Sequence, residues 1–167
     1  MSLTEDFMLS DDLHPIDMVE TIAEHHDWEF DRVGDYQIAM AVEGQWRTYS
    51  ITLAWSHYDE TLRLICTFEM DPPADSMPAV YEALNQANDM CWNGAFTYWK
   101  EQRLMVYRYG LVLTGGQGVN GGQIDHLIGA AVSACERFYP AFQLVAWADQ
   151  APAKAMNIAM TEAYGRA

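Results

Sequence analysis

Residues 36 to 70 carry a regular alternation of apolar and polar side chains, and this pattern constrains the fold more than any other feature. Apolar residues occupy every second position in three successive runs, which short turns separate. They are Tyr36, Ile38, Met40, Val42, Tyr49, Ile51, Leu53, Trp55, Leu62, Leu64, Cys66, Phe68 and Met70. A period of two residues indicates strands with one buried face, and short turns join such strands into an antiparallel sheet.

Helical spacing replaces this alternation on both sides of the strand block. A first helix is predicted from about Pro15, which suits a first helical turn, to His26. A second helix is predicted over about residues 77–93, where apolar residues form one stripe before Gly94 ends it. Residues 28–33 form a further short strand next to the first helix.

The rest of the chain predicts a hairpin and a third helix. The hairpin covers residues 96–100 and 104–113, and the helix runs from near Gln123 to about Phe142. Residues 148–167 are expected either to form a short helix or to fray. The order α-β-β-β-(β)-α-β-β-α therefore predicts one α+β domain with an antiparallel sheet of five or six strands and three helices.

Acidic residues are concentrated at the start of the chain. The 167 residues carry a formal net charge of -15, and ten acids precede Arg32, the first basic residue. Residues 1–13 are therefore predicted to be a flexible acidic arm, which either keeps the protein soluble or contacts a basic partner. The acidic excess argues against nucleic acid and against an anionic membrane surface as partners.

The cysteine pattern and the absence of a signal sequence predict a cytoplasmic protein. Cys66, Cys91 and Cys135 are widely spaced and odd in number, which argues against a disulfide framework and against a zinc site. No apolar run is long enough for a signal peptide or a membrane span. We expect three reduced thiols in the core.

A glycine-rich segment over residues 115–122 is the one motif that suggests ligand chemistry. Its residues 116–121 match G-x-G-x-x-G between a predicted strand and a predicted helix, as in dinucleotide-binding proteins. However, that strand is the second arm of a hairpin, and Asp149 lies 28 residues beyond Gly121, where about 20 is usual. A flexible connection is the favoured interpretation. A nucleotide- or small-ligand-binding sensor or enzyme remains the alternative, with residues 142–147 as the strand that it would need.

No catalytic residue, metal ligand or cofactor is predicted. The five histidines show no metal-binding spacing, and the cysteines fall where core residues are expected. A sensor for a small apolar ligand would require a pocket within the sheet, lined by Met40, Trp55 and Phe68.

The aromatic residues exceed what one covered sheet face is expected to bury. Either they fill the core and its rim, or some form an interface for a second subunit or a protein client. The second helix and the hairpin over residues 96–109 are the predicted location of this interface. Its predicted anchors are Trp92, Phe96, Tyr98 and Tyr107.

Two segments resemble a known family. Residues 84–88 (Leu-Asn-Gln-Ala-Asn), followed by Gly94 and Phe96, resemble the L-N-x-x-N…G-x-F core of the YbjN family. Residues 136–142 resemble that family's third helix, and the order of elements agrees over about residues 14–147.

This resemblance implies the fold of type III secretion chaperones, which is a strongly bent antiparallel sheet with three helices in a protein that is usually dimeric. It implies no catalytic residues, and it gives Asn85 and Asn88 a structural role where the second helix meets the sheet. We therefore expect a non-enzymatic cytoplasmic regulator or chaperone-like adaptor. It would form a homodimer and bind a protein client through an apolar surface of the sheet and helix.

Overall fold

A six-stranded sheet is the central element of the protein, for which a computed structural model describes residues 13–116 and 118–165. The strands are β1 (Glu29–Arg32), β2 (Gln37–Glu43), β3 (Thr48–Ser56), β4 (Thr61–Glu69), β5 (Ala95–Trp99) and β6 (Leu104–Val112). Their order across the sheet is β1-β2-β3-β4-β6-β5, and every neighbouring pair is antiparallel. The predicted α+β class is confirmed.

Within the described ranges, four α-helices accompany the sheet: α1 (Pro15–His25), α2 (Met77–Asp89), α3 (Gly121–Trp147) and α4 (Pro152–Gly165). The prediction that α3 ends near Phe142 was wrong, because the helix continues through Pro140. Val145 and Ala146 are buried on its apolar face, and this packing outweighs the hydrogen bond that a proline removes. Helix α4 lies in the C-terminal tail, for which the sequence allowed either a short helix or a frayed end.

The helix α2 ends four residues before the predicted position. The amide N–H groups of Met90 and Cys91 donate to the carbonyl oxygens three residues earlier, those of Ala87 and Asn88, and this tightens the last turn. Apolar spacing alone extended the prediction to residue 93. The predicted acidic arm lies outside the described residues except for Leu13, which is exposed.

The core lies between one face of the sheet and the helices. Its most regular row runs across five strands through Met40, Ile51, Cys66, Tyr107 and Phe96, all of them buried. Helix α1 packs on β2 and β3, α3 on β4 and β6, and α2 on β5, while α4 contacts α2 and α3. No helix within the described ranges is long and apolar enough to cross a membrane.

Candidate functional site

The four predicted interface residues divide between the surface and the core. Trp92 follows α2 and is 95% exposed, and Tyr98 is half-buried and donates its hydroxyl to the carbonyl oxygen of Met70 at 2.7 Å. Phe96 and Tyr107 are buried with their ring centroids 5.1 Å apart, and burial raises the pKa of Tyr107 to about 12. A single chain does not test the predicted interface, but only Trp92 and Tyr98 reach a surface.

The sheet face opposite the core carries no helix among the described residues, and we name it the open face. Strand register aligns its side chains in rows, and most of them lie outside the hydrophobic core, although Val106 is fully buried. One row is Asp31, Ala39, Thr52, Ile65, Arg108 and Ala95. The next is Glu29, Ala41, Ser50, Thr67, Val106 and Thr97. The face is therefore a broad surface with an uncharged centre of small side chains.

Opposite charges occupy the two sides of the open face. Glu29 and Asp31 lie on β1 and Glu43 at the end of β2, whereas Arg63 and Arg108 lie on β4 and β6, with Glu69 at the far end of β4. Arg63 pairs with Asp59 at 3.1 Å, but neither Arg108 nor Asp31 has an ion-pair partner in the described part of the chain. Asp31 and Arg108 are four strands apart, which is about 19 Å, so they cannot neutralise each other within one protomer.

Both edges of the sheet are protected against pairing with another strand. At the β5 edge, the side-chain amide of Asn88 donates to the carbonyl oxygen of Phe96 at 3.0 Å, and its oxygen accepts from the Phe96 N–H at 2.6 Å. This side chain thus takes the place of a neighbouring strand. At the other edge, β1 has four residues, three of them charged, and short charged edges resist pairing. The open face, rather than an edge, is the larger contact surface.

The glycine-rich segment lacks the context of a dinucleotide site. Its preceding strand, β6, is antiparallel to both of its neighbours, and residues 142–147 belong to α3 rather than to a further strand. Asn120 accepts from the Gln123 N–H at 2.8 Å, and the Gln123 side chain accepts from the Asn120 N–H at 3.0 Å. This capping box occupies the N–H groups of Asn120 and Gln123 at the start of α3. A phosphate bound there would need such N–H groups to be free. Gln117 lies outside the described residues.

The buried titratable groups serve packing. The sulfur atoms of Cys66 and Cys135 lie 3.6 Å apart in the core, and this contact together with burial raises the pKa of Cys135. Cys91 is half-buried at the rim of the core, so the expectation that all three thiols lie in the core was wrong for this residue. Partial burial still raises the pKa of Cys91, so none of these effects favours a reactive thiolate. The described residues contain no cluster of three or more His, Cys, Asp or Glu placed to bind a metal.

Packed side chains occupy the place in the sheet where a sensor for a small apolar ligand would require a pocket. Met40 and Phe68 are buried in the core, and Phe68 contacts the ring of Tyr49 edge-on. Trp55 is half-buried, and the ring of His14 lies against it at 5.3 Å between centroids. These residues therefore contribute to the core and its rim.

Comparisons with known proteins point to one family. The sequence model of the YbjN family, described as "Putative bacterial sensory transduction regulator", matches residues 15–144. A crystal structure of YbjN from E. coli, described as "a putative transcription regulator", matches with a TM-score of 0.52 at 12% sequence identity. The match covers 81% of this chain and 92% of that one, and it shows a shared fold. No curated protein sequence matches the chain.

Proposed function

The chain belongs to the YbjN family, and from this membership we propose that it is a non-enzymatic regulatory protein that works as a homodimer and binds a partner protein. The family's description supports a role in sensory transduction. The free thiols of Cys66, Cys91 and Cys135 support a reducing, cytoplasmic location.

The charge pattern of the open face carries the proposal of a homodimer. A two-fold axis above β3, parallel to the strands, would place the open faces of two protomers against each other. Such an axis exchanges β6 with β1 and leaves positions along the strands unchanged, so Arg108 would face the partner's Asp31 twice in each dimer. Two charges left without a partner in the protomer would thereby be paired.

The size and composition of the open face fit such an interface. Six strands about 4.8 Å apart, with about seven residues each at 3.3 Å per residue, span roughly 700 Å². A stable interface buries about 800 Å² on each partner. Across β2, β3 and β4 the two aligned rows hold only Ser, Thr, Ala and Ile, with Arg63 in the next row along β4, and charge depletion at the centre is typical of interfaces.

Charge exchange tests the homodimer directly. Light scattering and sedimentation should show a dimer at tens of micromolar, and Arg108→Glu or Asp31→Arg should each weaken dimerisation at least tenfold. The double variant restores opposite charges and should recover most of the affinity. Arg103→Glu makes the same charge change outside the open face and serves as the control. A monomeric wild-type protein, or a double variant weaker than both single variants, would contradict the proposal.

We place the contact with the partner protein at Trp92. The side chain of Trp92 is 95% exposed, and tryptophan is enriched among the residues that dominate binding energy. A photoreactive residue at position 92 should crosslink one defined protein in the native cell. The same residue at position 58 is the control, because Tyr58 is 98% exposed in the β3–β4 turn. Equal labelling at both positions would refute this assignment.

A further inference from the structure

A groove runs between the end of α2 and the middle of α3, on the helical side of the sheet. Its volume is about 520 Å³, which lies within the usual range for small-molecule sites. Cys91 and Trp92 form part of its wall, and Tyr107 and Phe138 reach it from the core. The floor is formed by small residues of α3, namely Gly129, Ala130, Ser133 and Ala134. This floor leaves room for a flat apolar group.

The groove is cationic in a strongly acidic protein. The chain has 24 acidic residues, but none of the twelve described residues that line the groove is Asp or Glu. The lining includes Arg137 and His126 instead. An anion entering this groove would therefore meet a cation and no carboxylate among the lining residues.

The position of Arg137 suits recognition of an anion. Its Nη2 donates to the sulfur of Met160 at 3.1 Å, and its guanidinium lies 5.2 Å from the centroid of the Phe138 ring. These contacts hold the side chain in place, and they leave its other N–H groups for a carboxylate, which guanidinium binds in a two-pronged geometry.

The basic and the small residues of the groove follow one another along one face of α3. His126, Ser133 and Arg137 recur at spacings of seven and four residues, so they share a face of α3 over about 16 Å. The small residues lie between the two basic ones, with Trp92 beside them. The groove is thus amphipathic along its length, with the guanidinium of Arg137 at one end and the imidazole of His126 at the other.

We propose that this groove binds a small organic anion with an aromatic or other apolar body. Its carboxylate or sulfonate pairs with Arg137, and its body lies on the floor of α3 against Trp92. The exposed indole ring then gains the contact that it lacks in the free protein. This site is separate from the open face, and a ligand that covers Trp92 would compete with the partner protein proposed above.

Calorimetry with two matched probes tests this proposal on the full chain. 1-Naphthoate carries the required charge, whereas 1-naphthamide has nearly the same shape without it. Naphthoate should bind at least tenfold more tightly than the amide, and Arg137→Gln should abolish this preference. Trp92→Ala should weaken binding of naphthoate and should change the protein's fluorescence response to it.

Two further variants keep the outcome independent of folding. Ser133→Leu adds an apolar side chain to an exposed position of the floor and should block naphthoate without loss of helical structure. Arg103→Gln removes a cation elsewhere and should leave binding unchanged. The proposal is overturned by absence of naphthoate binding at millimolar concentration, by equal binding of both probes, or by unchanged binding in the Ser133 variant.

Discussion

Replacement of Asn88 by alanine should destabilise the protein, because the Asn88 side chain caps the edge strand β5. In the wild-type protein, the two hydrogen bonds from this side chain satisfy both the N–H and the carbonyl group of Phe96. The Phe96 side chain is buried against Tyr107, Phe138 and Phe142. Alanine would leave two partly buried backbone groups without partners at the point where β5 and α2 hold this aromatic cluster together.

The size of the effect follows from those two groups. Each backbone group left unsatisfied costs about 1–3 kcal/mol, depending on how far water can replace the lost partner. The bonds of Asn88 are partly buried, so we expect a loss of about 3 kcal/mol in the free energy of unfolding. For a domain of this size, that corresponds to a decrease in Tm of roughly 6–12 °C.

Urea unfolding and calorimetry provide the measurement, with Asn85→Ala as the matched control. Asn85 lies one helical turn earlier, is exposed, and makes no side-chain hydrogen bond within the described residues. Its replacement should change stability by less than about 0.5 kcal/mol. Asn88→Asp should fall near alanine, because a carboxylate accepts from the N–H but repels the carbonyl oxygen. Equal stabilities of Asn88→Ala and Asn85→Ala would refute the reasoning.

Two further predictions concern the half-buried His14 and the crowded Gly44. Burial lowers the pKa of His14 in the folded protein. As the pH falls, His14 is therefore protonated at a higher pH in the unfolded chain than in the folded protein. The free energy of unfolding should fall as pH decreases below about 6.5, and urea titrations should show a smaller fall for His14→Asn, which keeps an acceptor at the helix start. A β-carbon at Gly44 would collide with the carboxylate of Glu136. Gly44→Ala should therefore lower Tm, whereas Gly118→Ala, which meets no atom within 4 Å, should not.

The sequence predicted the strands well because their pattern depends on local chemistry. Alternation required only that one face of each strand be buried, and strands β2 to β4 follow the predicted runs. The extent of the helical layer depended on tertiary packing instead. Burial carries α3 through Pro140, and α4 adds Ala155, Met156 and Ala159 to the core. Phe96 is covered by Phe138 and Phe142, which lie in the part of α3 that the sequence predicted, but the sequence did not show that this helix packs over β5 and β6.

The open face could not be predicted because it depends on strand order. Periodicity placed Arg108 on the face opposite Tyr107, but it could not show that β6 lies between β4 and β5. Only that order aligns Arg108 with Asp31, which is 77 residues earlier in the chain. The family motif was more informative about Asn88, whose structural role is confirmed, than about Asn85, for which the described structure shows no such contact.

The turn between α2 and β5 connects the open face to the groove. Asn93 lines both the groove and the depression around Arg108, and Gly94 follows it. A β-carbon at Gly94 would lie 2.6 Å from the carbonyl oxygen of Arg108 and 2.7 Å from the hydroxyl of Tyr107, so backbone packs directly on backbone there. We therefore expect a ligand that displaces this turn to displace β6 at Arg108 as well. Thermodynamic reciprocity then requires that naphthoate change the dimer dissociation constant by the same factor by which dimerisation changes naphthoate affinity.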